Sequence, residues 1–174
     1  GGGKLSLLEG EKAKISASNL QGKLNNQSPA PLVHRAQPAV VSITQATELG
    51  TVYTIDEILA ISEVCKQNNL PLHMDGARLA NAVVALGTTV ADCTWRAGVD
   101  ILSLGATKNG VFAADAVVFF DANKVADFEF RRKRGGHLFS KYRFLSSQLV
   151  PYLESNYWLE LAKNSNHRAK ELAR

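Results

Sequence analysis

The chain has 174 residues, of which 45% are hydrophobic and 21% are charged, and its formal net charge is +4. This length and composition are ordinary for one soluble globular domain with a sizeable core. No apolar run reaches the roughly 18 residues of a membrane-spanning helix. The positive charge is concentrated in the run RRKR at 131–134, which is typical of a solvated face and does not predict nucleic-acid binding.

Two cysteines, Cys65 and Cys93, occur without a CxxC pattern or a histidine spacing suited to zinc. We expect both thiols to be reduced and packed on helices. Reduced thiols favour a reducing compartment, so a cytoplasmic location is expected.

Both ends of the sequence lack the usual boundary features. The start, GGGKLSLLEGEKAKIS, has no initiator methionine, and the end, NSNHRAKELAR, stops inside a helical pattern without a cap. We therefore expect the chain to be a piece of a longer one.

The first half of the sequence alternates between strand and helix patterns. Residues 1–38 are rich in Gly, Ser, Asn, Gln and Pro and are predicted to be mainly loop. A strand at 39–44 follows, and Thr54 and Glu57 form a capping box for a helix that runs to about residue 69. A strand at 70–74 leads into helices at 77–86 and 89–97.

The second half adds two strands, at 100–105 and 115–121, and is helical from about residue 124 onward. Alternation of strands and helices predicts an α/β layer with a largely parallel sheet. The last two strands are too close in sequence for a crossover helix, so this pair is expected to be antiparallel or separated in the sheet.

Polar groups follow two of the predicted strands, where open α/β sheets bind ligands. Asp75 ends a buried strand, and a carboxylate there is costly without a cationic partner. Three partners remain open: the nearby Arg78, a ligand with a protonated ring nitrogen, or a metal ion shared with His73. The metal reading is weak because two ligands do not make a site.

Lys108 lies in a short loop between two apolar strands, flanked by Gly105 and Gly110. Proximity to buried strands is expected to desolvate this lysine, which lowers its pKa and favours attack on a carbonyl. The alternative is a lysine that extends from a loop into solvent. The surrounding GATKNG lacks the Lys-Ser/Thr pair of a phosphate loop, and no dinucleotide fingerprint follows any strand.

Asp75 and Lys108 should emerge at neighbouring strand ends of one sheet. This pair meets the needs of pyridoxal phosphate, because a lysine holds the aldehyde and an aspartate keeps the pyridine nitrogen protonated.

Several stretches, read together, resemble the low-specificity L-threonine aldolases, which are fold-type I pyridoxal phosphate enzymes of the beta-eliminating lyase and threonine aldolase family. They are LHMDGARLANA, DILSLGATKNG, AADAVVFFD, SITQATELGTVYT and FRRKRGGHLFSKYRFLSSQ. The resemblance implies an incomplete cofactor-binding large domain at 1–145, and a helix at 146–174 that leads toward a small domain missing from this chain. It also implies that the missing parts hold further cofactor and substrate contacts, so the isolated segment is expected to be inactive.

By resemblance, Lys108 is the Schiff-base lysine and Asp75 is the partner of the pyridine nitrogen. Arg78 is expected near the cofactor's phenolic oxygen or the substrate carboxylate, and Thr107 at the cofactor phosphate. No metal is implied. The expected reaction is retro-aldol cleavage of L-threonine or L-allo-threonine to glycine and acetaldehyde.

Two further sets of residues are implied less specifically. Thr47 and Glu48 fall where the family contacts the substrate side chain, although some relatives have a histidine there. Arg134 is assigned to the phosphate region or to a subunit interface, or else to a solvated helix end. The family builds its site at a dimer interface, so a homodimer or homotetramer is expected, with no nucleic acid or membrane partner. Another fold-type I activity, β-elimination or transamination, stays open, as does a non-catalytic fragment that keeps the fold.

Overall fold

The computed structural model describes residues 3–26 and 32–173, and a four-stranded mixed sheet lies at its centre. The first three strands are parallel and the last is antiparallel to its neighbour, so the largely parallel sheet and the antiparallel final pair are confirmed. In spatial order the strands are β1 (Val41–Thr44), β2 (Leu72–Asp75), β3 (Ile101–Gly105) and β4 (Asp115–Phe119).

Seven α-helices surround this sheet in the described part of the chain. They are α1 (Ala17–Asn25), α2 (Ile55–Gln67), α3 (Leu79–Leu86), α4 (Phe128–Arg134), α5 (Arg143–Ser146), α6 (Leu149–Glu154) and α7 (Tyr157–Leu172). The expected capping box is confirmed, because Thr54 accepts from the Glu57 N–H and the Glu57 carboxylate accepts from the Thr54 N–H.

The core fills one face of the sheet. Alternate strand residues point into it, as the period of two requires: Val41, Ile43, Leu72, Met74, Leu102 and Leu104. Helix α2 covers this face with Ile58, Ile61 and Cys65. Cys65 and Cys93 are buried free thiols, as predicted, and burial raises the pKa of each to about 11. Cys65 lies on α2, but Cys93 lies in a turn and not on the expected helix.

Two local predictions are wrong. The N-terminal region contains α1, whose N-cap residue Ser16 accepts a hydrogen bond from the Asn19 N–H. The sequence did not predict this helix because it lacks an apolar stripe, and Leu20 is the one residue of α1 that is buried. The predicted helix at 89–97 is instead a set of turns, because the Thr89 and Thr94 side chains bond to nearby backbone groups and compete with helical bonding.

The region from 124 onward is helical, as predicted, but it is divided into four separate α-helices. The longest, α7, packs against α3. Asn81 of α3 donates to the Ser165 hydroxyl and to the Asn166 side-chain oxygen, both at 2.9 Å. This contact places α7 beside the carboxyl ends of the parallel strands. Within the described residues, no helix is both long and apolar enough to cross a membrane.

Candidate functional site at the carboxyl ends of the parallel strands

The candidate site begins where β2 and β3 end side by side. Asp75 is the last residue of β2, and Lys108 lies in the single 3-10 turn Thr107–Asn109 that follows β3. Because the two strands are parallel and paired, both residues follow the same edge of the sheet. The strand ends approach closely: a Cβ added to Gly105 would lie 2.7 Å from the Ala77 Cα.

Asp75 is half-buried and one of its oxygens is already occupied. Its Oδ1 accepts a hydrogen bond of 2.9 Å from the Ala77 N–H, which orders the turn after β2. No cationic side chain of the described residues lies within 4 Å of this carboxylate. The suggestion that Arg78 neutralises Asp75 is therefore wrong for this structure, and the carboxylate is left able to receive a cationic group of a ligand.

Arg78 instead pairs with Glu48, whose Oε1 lies 3.1 Å from the guanidinium Nη1. The hydrogen bond from Arg78 lowers the pKa of Glu48, and the charge of Lys108 lowers it further by a smaller amount. Both cations therefore favour the charged form of the Glu48 carboxylate. Glu48 and Arg78 thus form an ion pair at the strand ends, and Arg78 shares a groove with Lys108.

The loop at 45–53 holds Glu48 opposite Arg78. The fully buried Gln45 side chain accepts from the Tyr53 N–H and donates to the Tyr53 carbonyl, each at 2.9 Å. Thr47 is also buried, and its hydroxyl lies 2.6 Å from that of Thr51. Of the two residues assigned to the substrate side, Thr47 therefore faces the interior and Glu48 faces solvent.

Lys108 is exposed, so the desolvation expected from its position between buried strands is absent in this structure. Its turn is anchored by Asn109, whose side-chain N–H donates to the Tyr152 hydroxyl at 2.7 Å and to the Trp158 carbonyl at 2.8 Å. Sequence reasoning missed Asn109. The only signal was an amide residue before Gly110 in a turn pattern.

His73 is held between two serines on the sheet face opposite the core. Its Nδ1 lies 2.8 Å from the Ser42 hydroxyl and its Nε2 lies 2.9 Å from the Ser103 hydroxyl. Burial lowers the pKa of His73, and the nearby charge of Asp75 opposes this shift. Both ring nitrogens are engaged, and no cluster of three metal-ligating side chains occurs in residues 3–26 and 32–173.

A groove of about 950 Å3 opens at the candidate site, between α3, α7 and the loop at 45–53. Arg78 and Lys108 line it together. Asp75 does not line this groove. Thr107 is exposed beside Lys108, and Arg134 is exposed at the end of α4, but neither contributes to the groove. The structure therefore joins Arg78, Lys108 and Glu48, with Asp75 at the adjacent strand end.

Residues 1–174 match the beta-eliminating lyase family. The low-specificity L-threonine aldolase of Pseudomonas sp. (strain NCIMB 10558) is 44% identical over 173 residues, which are 99% of this chain and 49% of that protein. The protein of the same name from Pseudomonas aeruginosa is 43% identical over 173 residues, with the same shares covered. This chain thus spans about half the length of these curated relatives.

The solved structures include a threonine aldolase from Leishmania major with a TM-score of 0.80 and 30% sequence identity. The match covers 90% of this chain and 45% of that chain. The fold implied by the resemblance, part of a fold-type I large domain with a mostly parallel sheet and flanking helices, is confirmed. With its full length matched, the chain belongs to the beta-eliminating lyase family.

Proposed function

We propose that this chain is part of a pyridoxal phosphate-dependent lyase that cleaves β-hydroxy-α-amino acids. The proposed substrates are L-threonine and L-allo-threonine, and the products are glycine and acetaldehyde. One observation carries the proposal: the exposed Lys108 opens into the same groove as Arg78, directly after a strand that pairs with the one ending in Asp75. Relatives of 43% and 44% identity carry the name of this activity.

The residues at the strand ends fit the cofactor chemically. Lys108 makes no ion pair with another described residue, so its amine is free to attach the cofactor aldehyde. Asp75 has a carboxylate that lacks a cationic neighbour, which suits a protonated pyridine nitrogen. Thr107 is assigned to the cofactor phosphate, and Arg134 to the phosphate region or a subunit interface.

When bound, pyridoxal phosphate supplies a conjugated ring that accepts the electron pair released as the Cα–Cβ bond breaks. Arg78 binds and orients the α-carboxylate of the amino acid, because a guanidinium pairs well with a carboxylate. Glu48 faces the substrate side chain from the loop at 45–53, while the buried Thr47 supports that loop. Asp75 holds a proton on the ring nitrogen through its negative charge.

The relatives' length bears on the activity of the isolated chain. Because this chain spans about half of the relatives' length, we propose that the 174 residues alone do not turn over threonine. We also propose that the longer protein acts as a cytoplasmic homodimer or homotetramer. Turnover by a monomer of these 174 residues, at the rate of the longer protein, would refute this.

A second candidate is β-elimination, which the name of the matched family favours. Retro-aldol cleavage of either L-threonine or L-serine releases glycine, whereas β-elimination releases 2-oxobutanoate from L-threonine and pyruvate from L-serine. Assaying both products with L-threonine and L-serine, in the longer protein, separates the two activities. Formation of these 2-oxo acids without glycine would replace retro-aldol cleavage with β-elimination.

The direct test of the cofactor assignment is spectroscopic. The purified longer protein is titrated with pyridoxal phosphate, and the visible absorbance of the lysine-bound cofactor is recorded for wild type, Lys108→Ala and the control Lys66→Ala. We expect the band in wild type and in Lys66→Ala, since Lys66 is exposed on α2, and its loss in Lys108→Ala. Absence of the band in wild type contradicts cofactor binding, and its survival in Lys108→Ala contradicts the role of Lys108.

A further inference from the structure

The wall of the groove formed by α7 is strongly basic. Lys163, His167 and Lys170 recur at spacings of four and three along α7 and line the groove that also contains Arg78 and Lys108. The groove lining includes no aspartate or glutamate. A concave surface with one sign of charge focuses its field and concentrates ions of the opposite sign.

The orientation of this basic face is fixed by packing. Asn81 donates to Ser165 and Asn166, and Asn166 in turn donates to the Asn81 carbonyl at 3.0 Å. These reciprocal hydrogen bonds set the rotation of α7 about its own axis. The lysines before and after the contact therefore face the groove because of a specific helix–helix interaction.

Two of these cations lack a partner. On α7, Glu171 is shared by His167 at 3.3 Å and Arg168 at 2.8 Å. Neither Lys163 nor Lys170 makes an ion pair with any residue in the described ranges. The groove thus carries two unpaired ammonium groups, in addition to Lys108 and to Arg78, which is paired with Glu48.

We propose that this groove binds small dianions through Lys163 and Lys170. The shared chemistry is an oxyanion with two negative charges, carried either by a phosphate group or by a dicarboxylate. The site lies next to Lys108 but uses different side chains. It requires no bound cofactor, so it stands apart from the proposed lyase activity.

The test is a titration of isotopically labelled protein, without pyridoxal phosphate, with inorganic phosphate, succinate or acetate at constant ionic strength. Amide NMR signals of α7 report binding. We expect phosphate and succinate to shift these signals with saturation, and acetate to bind more weakly because it has one charge. Saturation with phosphate alone identifies a phosphate-bearing ligand, and saturation with succinate alone identifies a dicarboxylate; both outcomes support the site.

Two double variants that remove the same charge are compared. Lys163→Gln/Lys170→Gln changes exposed lysines in the groove, and Lys66→Gln/Lys141→Gln changes exposed lysines outside it. We expect the first pair to weaken dianion binding by about tenfold or more and the second pair to leave it nearly unchanged. Circular dichroism checks that each variant is folded. Equal weakening by both pairs, or no saturable shift with either dianion, would overturn the proposal.

Discussion

The Arg78 guanidinium donates to the Glu48 carboxylate at 3.1 Å, although Asp75 is much nearer in the sequence. The cause lies in the backbone. The loop at 45–53 is tied to the strand ends by hydrogen bonds from the Gln45 N–H to the Asp75 carbonyl at 2.8 Å and from the Ala46 N–H to the Arg78 carbonyl at 3.4 Å. This loop brings the Glu48 carboxylate to the guanidinium that is proposed to bind the substrate, so a substrate carboxylate would have to displace Glu48 from Arg78.

Replacing Glu48 with Gln should therefore strengthen carboxylate binding at Arg78. The expected change in melting temperature is small, because the pair is exposed to solvent. Isothermal titration of glycine into the cofactor-loaded longer protein measures the affinity, and thermal unfolding measures the stability. Glu63→Gln, an exposed glutamate on α2, is the control for charge. Weaker glycine binding in Glu48→Gln would show that Glu48 assists the ligand and does not compete with it.

The Glu48–Arg78 pair should also persist into acidic solution. Because Arg78 lowers the pKa of Glu48, the stabilisation is fully present above the ordinary carboxyl value of 4.5 and is lost as the pH falls through the lower folded value. An NMR titration of the Glu48 side-chain carboxyl carbon in wild type and Arg78→Gln checks this. The expected result is a higher midpoint in the variant, and equal midpoints would contradict the assigned cause.

Sequence patterns were sufficient for the parts of the site that depend on strand periodicity. Asp75 and Lys108 could be placed at neighbouring strand ends because both follow short apolar runs of parallel strands. The Arg78–Glu48 pair could not be predicted, because it depends on a loop shape set by the buried contact between Gln45 and Tyr53. The anchoring of Asn109 was equally hidden, since its partners lie more than forty residues further along the chain.

Gly105 permits the close approach of the two strand ends that carry Asp75 and Lys108. In Gly105→Ala the new Cβ would meet the Ala77 backbone at 2.7 Å, so the strand ends must separate. We expect destabilisation of about 1–3 kcal/mol, the usual range for overpacking. Denaturant unfolding measures it. In the control Gly22→Ala, the added Cβ meets nothing within 4 Å on helix α1, and a gain of about 0.5–1 kcal/mol is expected. Equal effects of the two substitutions would show that steric contact at Gly105 is unimportant.

The environment of His73 predicts a stability that depends on pH. Burial lowers the pKa of His73 in the folded state, so the unfolded chain binds the proton more readily. The stabilisation from neutral His73 is complete above the ordinary value of 6.5 and is lost as the pH falls through the folded value. Unfolding free energies of wild type and His73→Asn, compared between neutral and mildly acidic pH, test this. The variant should lose less stability on acidification, and an identical loss in both proteins would contradict a role of His73.

Asn109 is expected to act as a positioning residue for Lys108, because it ties the lysine turn to α6 and α7. Asn109→Ala removes donors to the Tyr152 hydroxyl and the Trp158 carbonyl. The expected loss of stability is about 1–3 kcal/mol, since buried polar groups are left unpaired. Tyr152→Phe removes only one of these bonds and should cost about 0.5–1.5 kcal/mol.

Combining the two substitutions tests whether the Asn109–Tyr152 hydrogen bond itself anchors the lysine turn or whether each substitution only destabilises the fold. If the Asn109–Tyr152 bond is a direct link, the double variant should lose less stability than the sum of the single variants. Cofactor attachment gives the second measurement: Asn109→Ala should slow the appearance of the lysine-bound absorbance band, and Asn109→Gln should restore it in part. Strict additivity of the stabilities, together with unchanged attachment kinetics, would mean that Asn109 does not position Lys108.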